Sequence, residues 1–175
     1  MENIELITDH EIYDKVILEL VPKARHFLWF GTADIKDLYV NKGKRMVPFL
    51  EILSDLIKNK VEIRLIFAKE PGENFQKDFD KYPVLAKLLE QFNCPRVHFK
   101  TIIIDGKYAY TGSANLTGAG MGAKSINRRN FEAGILTTDA VFIEKLMKQY
   151  DDIWIGKHCK SCERKDYCAE WRGLK

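Results

Sequence analysis

Residues 97–120 read VHFKTIIIDGKYAYTGSANLTGAG, and the fold turns on how this stretch pairs with itself. His98 and Lys100 stand two apart, ahead of the apolar run Ile102-Ile103-Ile104, which ends at Asp105. Asp105-Gly106 is a hairpin-turn dipeptide, and the β-rich residues 108–111 follow it. Side chains along a strand repeat every two residues, so His98 and Lys100 share a face. A hairpin turning at residues 105–106 carries Ser113 and Asn115 back beside them. One patch then holds an imidazole, an ammonium, a hydroxyl and an amide. That set suits a phosphate: Lys offers a point charge, Ser and Asn offer donors, and His can attack or transfer a proton near neutral pH.

Downstream, Asn130-x-Glu132-x-Gly134 adds a carboxylate. His98-x-Lys100-x4-Asp105, Gly112-Ser113-x-Asn115 and this element together resemble the signature of the phospholipase D superfamily, the HKD phosphodiesterases. The resemblance is densest over residues 97–120. An ordinary hairpin with a surface His and Lys has no need of the Ser-x-Asn return.

The chain has 175 residues, one domain's worth, and that length buries about 70% of the unfolded surface. Hydrophobic residues make up 46% and charged residues 30%, a soluble composition, so a core is affordable without disulfides. A net charge of +3 permits a phosphate-bearing partner without demanding one. No apolar run is long enough for a membrane span, which argues against stable membrane insertion. The first residues, MENIELITDHEIYDK, carry scattered acids and no apolar core, so a secretory signal is not expected and the cytoplasm is.

Taken in order, residues 9–24 read as a helix, with Ile12, Val16, Ile17 and Leu20 at helical spacing and Pro22 weakening the last turn. Residues 26–33, HFLWFGTA, read as a buried strand, and His26 at its start as a structural residue. Residues 34–45 read as a polar connection; its basic cluster, Lys42, Lys44 and Arg45, is either a solvated loop or a contact for a substrate backbone. A helix is expected over 46–58, a strand over 61–68, a loop over 71–80 and a helix over 83–92 with Pro83 at its start. Residues 117–130, TGAGMGAKSINRRN, form an irregular segment with Lys124, Arg128 and Arg129 at the rim of the hairpin site; a plain surface loop and a polyanion rim are both open readings. A strand over 131–137 places Glu132 near its start, and 139–154 is the last long helix. Strands alternating with helices predict an α/β fold, a mixed β-sheet flanked by helices; the resemblance makes it a phospholipase D-like fold.

The resemblance also implies a mechanism. A histidine attacks phosphorus, a phosphohistidine forms, and water resolves it, while a second histidine protonates the leaving oxygen and later activates the water. Of His10, His26, His98 and His158, only His98 lies in the motif, so a homodimer pairing two copies of His98 across the HKD face is expected. By matched position, Lys100 binds the phosphoryl oxygens, Ser113 and Asn115 donate to them, Glu132 accepts from the second ring nitrogen of His98, and Asp105 holds the hairpin and its partner across the dimer. Catalysis needs no metal on this route, and the sequence has no aspartate cluster suited to a two-metal site.

The end of the chain, residues 158–168, reads HCKSCERKDYC. Its C-x2-C-x5-C spacing suits zinc or an iron–sulfur cluster in a structural role, and is similar to C-terminal cysteine sets that hold iron–sulfur clusters in some DNA-processing nucleases. Cys159, Cys162 and Cys168 are the candidate ligands, with Cys94 or His158 as the fourth; free thiols on a short helix over 167–172, packed through Trp171, are the alternative. The chain therefore divides into a catalytic domain over 1–157 and a cysteine tail over 158–175. The leading expectation is a metal-independent phosphodiesterase acting on DNA or RNA. A phospholipid-cleaving enzyme and a non-catalytic nucleic-acid-binding domain of the same fold are the alternatives; the complete His, Lys, Ser, Asn and Glu set argues against the last.

Overall fold

A seven-stranded mixed sheet in the order β1-β9-β8-β7-β2-β5-β6 organises the molecule. It is seen in a computed structural model that describes residues 3–173; the outermost residues of the two expected units, 1–2 and 174–175, lie outside the described residues. The strands are β1 (Ile4–Thr8), β2 (Phe27–Thr32), β5 (Glu62–Phe67), β6 (Leu89–Asn93), β7 (Lys100–Ile104), β8 (Tyr108–Gly112) and β9 (Ala133–Thr137). A separate hairpin joins β3 (Tyr39–Lys42) to β4 (Arg45–Pro48). β2, β5 and β6 run parallel, and β7 lies antiparallel to β2.

The central strands are apolar throughout because both faces are covered. Alternation divides their side chains. Leu28, Phe30, Ile63, Leu65, Ile102 and Ile104 pack on one face beneath the N-terminal helix Ile12–Leu20 and α1 (Phe49–Lys58). Trp29, Ile66, Ile103 and Ala109 pack on the other against Ile143 and Tyr150 of α4 (Ala140–Trp154). The N-terminal helix buries Ile12, Tyr13, Val16, Ile17 and Leu20 along one stripe, and it is widely wound, the amide of Val21 reaching the carbonyl of Val16. No helix among the described residues is long and apolar enough to cross a membrane.

Four expected segments differ. β1 was not foreseen: only Ile7 of its five residues is buried, so it shows no buried face, and it is held by pairing with β9. Residues 39–48 form the β3–β4 hairpin instead of a connection running into a helix, and α1 starts after Pro48, where the fixed proline φ ends the strand. α2 (Glu73–Phe79) occupies the expected loop, burying Phe75 and Phe79. The expected helix over 83–92 stops early: α3 (Pro83–Leu88) gives way to β6, which pairs with β5 from Ile63↔Leu89 to Phe67↔Asn93. An open sheet edge outweighed helical periodicity there.

The tail packs onto this edge. A turn at Lys165–Tyr167 precedes α5 (Ala169–Gly173), shifted from the expected 167–172. The backbone N–H of Asn93 donates to Glu170 at 3.1 Å, and the Cys168 thiol faces the Asn93 carbonyl at 3.8 Å.

The β7–β8 turn shows what Asp105 holds within the single chain. Asp105 and Gly106 both have positive φ, 52° and 64°, and the Lys107 amide closes on the Ile104 carbonyl at 2.9 Å, as a two-residue hairpin loop requires. This turn lies at the opposite end of β7 from His98. The Asp105 carboxylate accepts the backbone N–H groups of Arg25, His26 and Phe27 at 2.9, 2.8 and 2.9 Å. Asp105 therefore ties the hairpin to the start of β2 in its own chain; it is structural and does not reach the site. Burial pushes its carboxyl up, but the three N–H groups and His26 outweigh burial and hold it below the usual carboxylate range. A lowered folded pKa stabilises above the unfolded value and is lost as pH falls through the folded one, so this contribution should fade below about pH 4. Asp105→Ala should lower stability by about 2–4 kcal/mol at neutral pH, read by urea unfolding, and that deficit should shrink in acid.

Candidate active site

The site gathers at one end of the central strands, where β7 begins, β8 ends and β9 begins. His98 precedes β7 and is exposed, while Lys100, the first residue of β7, is only 7% exposed. The Lys100 Nζ lies 3.3 Å from His98 Nδ1 and donates to the His98 carbonyl at 2.6 Å. The two-residue spacing thus brings these side chains together as alternation requires. Burial holds the Lys100 ammonium below the usual lysine range, with Glu132 pulling the other way. Among the described residues Lys100 has no ion-pair partner, so a desolvated cation stands beside an imidazole with its countercharge unfilled.

β8 carries Ser113 and Asn115 back as the turn dictates, Lys100 pairing with Gly112. Gly112 in turn pairs with Gly134 of β9. Neither position has room for a side chain: a Cβ on Gly112 would meet the Ala133 carbonyl at 2.5 Å, and one on Gly134 the Tyr110 ring at 2.4 Å. This close approach of β8 and β9 brings Glu132 to Ser113, whose hydroxyl donates to the carboxylate. Asn130 Nδ2 donates to the other Glu132 oxygen at 3.0 Å, and Asp9 accepts the Glu132 amide at 2.8 Å. Glu132 is therefore engaged by Ser113 and Asn130 in the single chain, where the resemblance implied a bond to His98. Asn115 is fixed by the end of β2: its Oδ1 accepts from Thr32 at 3.3 Å and from the Asp34 amide at 3.2 Å. With its oxygen so held, the Asn115 NH2 is the end left to donate. Thr32, Asp9 and Asn130 position the site. Nothing in the sequence marked Thr32 or Asp9, whereas Asn130 stands in the Asn-x-Glu element.

The tautomer of His98 matters chemically. While Lys100 donates to Nδ1, the ring hydrogen sits on Nε2, which can give a proton but not attack. Attack through Nε2 needs the hydrogen on Nδ1 and therefore needs Lys100 to turn from the ring.

The basic segments divide. Lys42 pairs with Glu51 and Asp55 at 2.7 and 2.6 Å, and Arg45 with Glu51 at 2.9 Å, so these cations of the first cluster are neutralised within the protein. The rim segment 117–130 is packed closely against the site: a Cβ on Gly120 would meet the Asn115 carbonyl at 2.6 Å, and Gly122, at φ +79°, abuts Asp9. Lys124 sits 4.0 Å from Asp37, and Arg128 is exposed. Beside the site Phe131 is 92% exposed and Ile126 70%.

His98 also lies on the wall of a cleft of about 1030 Å³ that runs past Arg96, Lys145 and Lys148 to the tail and contains all four cysteines. Among the described residues, no three His, Cys, Asp or Glu side chains are drawn together closely enough to hold a metal ion, so the expected site at Cys94, Cys159, Cys162 and Cys168 is not preformed around a single ion.

Residues 17–154 match the family described as "Cardiolipin synthase, PLD-like domain". Solved structures with the same fold include a phospholipase D family member, Nuc from Salmonella typhimurium, at 16% identity and TM-score 0.60, covering 86% of this chain and 93% of that one. Phosphatidylserine synthase from Haemophilus influenzae gives 16% identity and TM-score 0.60 over 86% of this chain and 36% of that one. TrmBL2, an archaeal chromatin protein that binds DNA, gives 13% identity and TM-score 0.60 over 87% of this chain and 52% of that one. Comparison with curated protein sequences found no match.

Proposed function

The chain belongs to the phospholipase D superfamily, and on that footing we propose that it is a metal-independent nuclease that cleaves DNA or RNA phosphodiesters through a phosphohistidine at His98. The observation that carries this reading is the buried Lys100 ammonium beside His98, with no carboxylate among the described residues in contact with it. A phosphate group draws Lys100 off Nδ1 and frees the ring for attack. His98 Nε2 then forms a bond to phosphorus as the P–O bond to the leaving group breaks. The leaving oxygen takes a proton from His98 of a second copy. That same imidazole next removes a proton from water, the water oxygen bonds to phosphorus, and the P–N bond breaks to return His98. Lys100 and the Asn115 NH2 hold the phosphoryl oxygens as charge builds, and Ser113 joins them by turning its one hydroxyl hydrogen from Glu132.

A homodimer follows from needing two histidines. Phe131, almost wholly exposed next to Glu132, supports the HKD face as its interface. Phe131→Asp should shift the protein to monomer in analytical ultracentrifugation and reduce cleavage at least about tenfold, since a charge replaces an anchor of the interface. Catalysis belongs to residues 1–157 and the tail 158–175 acts as a support. A polynucleotide is favoured by the cations Arg96 and Lys145 along the cleft leading to His98, and by the fold shared with a DNA-binding chromatin protein. Phospholipid is the second reading, favoured by the description of the matched family and by exposed Phe131 and Ile126 at the rim.

The test is cleavage of labelled single-stranded DNA, duplex DNA and RNA, with phospholipid vesicles beside them, all in excess EDTA. Cleavage of a polynucleotide is the expected result. Turnover of the vesicles alone would replace the nuclease reading with the lipid one.

A further inference from the structure

The four cysteines stand together although the phosphodiesterase chemistry uses none of them. Cys94 leaves β6, and Cys159, Cys162 and Cys168 arrive from the tail more than sixty residues later, yet all four line the same cleft. Two of the thiols have backbone donors turned toward them. The N–H groups of Arg96 and Val97 face the Cys94 sulfur, and the Arg164 N–H donates to Cys162 Sγ at 3.4 Å. Tight turns bring the tail cysteines in: the Cys159 amide closes on Gly156 and the Cys162 amide on Cys159, at 2.9 and 3.2 Å. Gly156, at φ +69°, lets the chain leave α4 in the direction that puts Cys159 against the cleft. N–H groups aimed at sulfur are the outer donors that a metal-bound cysteine uses.

We propose that Cys94, Cys159, Cys162 and Cys168 form a four-thiolate metal centre that fastens the tail to the segment entering the active site. Cys94 is four residues ahead of His98, so a centre closed on it fixes the stretch 94–98 at one end while β7 fixes it at the other. The thiols ring a cleft instead of meeting at one point, and no three of these groups come close enough for a single ion. A tetrahedral zinc needs four sulfurs at about 2.3 Å from one centre, whereas an iron–sulfur cluster spreads its thiolates over several irons. Four thiols spaced around the wall of one cleft suit such a spread set of irons, and the geometry points to a cluster. The proposal rests on the cysteines alone and stands apart from the phosphodiesterase reading.

The experiment is metal and sulfide analysis of the full chain purified without oxygen, with Cys159→Ser and Cys162→Ser purified alongside. These two thiols are partly exposed, and circular dichroism verifies that the variants fold. The expected result is stoichiometric iron and acid-labile sulfide with broad visible absorbance, lost from both variants, together with a lower melting temperature. Zinc bound stoichiometrically in place of iron would overturn the cluster assignment. A wild-type chain that takes up neither zinc nor iron with sulfide, or a variant that keeps its metal, would overturn the site. Cleavage activity is not the readout, so failure here leaves the nuclease reading untouched, and the reverse.

Discussion

His98→Ala should abolish cleavage, with a loss of about 10⁴–10⁶-fold in kcat, the size seen when a covalent nucleophile is removed from a site whose other parts remain. The substitution removes the atom that bonds to phosphorus, and in a homodimer it also removes the proton donor, because one residue type serves both roles. His98 is exposed and its ring hydrogen-bonds to Lys100, so the fold should be unaffected and the melting temperature unchanged. Mixed dimers give a sharper test. A wild-type chain paired with a His98→Ala chain holds one histidine where two are needed, so such heterodimers should be inactive. Activity proportional to the fraction of wild-type chains would instead mean that each chain works alone.

Lys100→Met should cost about 10²–10³-fold in kcat, comparable to losing one donor to a developing oxyanion, and should raise the melting temperature. The two effects have one source. Lys100 is buried and has no ion-pair partner among the described residues, and burial holds its pKa below the usual lysine value. A lysine whose folded pKa is lowered destabilises the fold at every pH below that value, and the cost vanishes only as pH rises through the lysine range. Met keeps the apolar stem and removes the charge, so the variant should be more stable across neutral pH and lose that advantage in strong alkali. Thermal unfolding from neutral to alkaline pH reads this directly. A variant that unfolds at neutral pH would make Lys100 a structural residue and remove the observation on which the proposed function stands.

The hairpin was legible because two short-range rules act on it without competition. Period-two alternation puts His98 and Lys100 together, and Asp105-Gly106 can both adopt positive φ, which sets the register Lys100↔Gly112. The mixed sheet followed from alternating strands and helices. Residues 89–93 were not legible as strand, since LEQFN carries helix-forming residues at helical spacing and its strand form comes from the exposed edge of β5. β1 failed for a related reason: its partner β9 lies more than a hundred residues away, and most of its side chains face solvent. In the site, residue types were readable and partners were not. Glu132 faces Ser113 because Gly112 and Gly134 let two strands close up, a contact across nineteen residues that no local pattern encodes. Asp105 lies in the motif's spacing yet serves the start of β2, because a five-residue strand separates it from the chemistry.

The central claim is that phosphorus becomes bonded to His98. The most direct measurement is to mix enzyme with a phosphodiester substrate, quench rapidly in alkali, where the P–N bond survives, and locate the adduct by peptide mass spectrometry. The account predicts a phosphoryl adduct on the peptide carrying His98, formed in the presence of EDTA and absent from His98→Ala. Turnover with no adduct on His98 at any quench time, or an adduct on another residue, would contradict it.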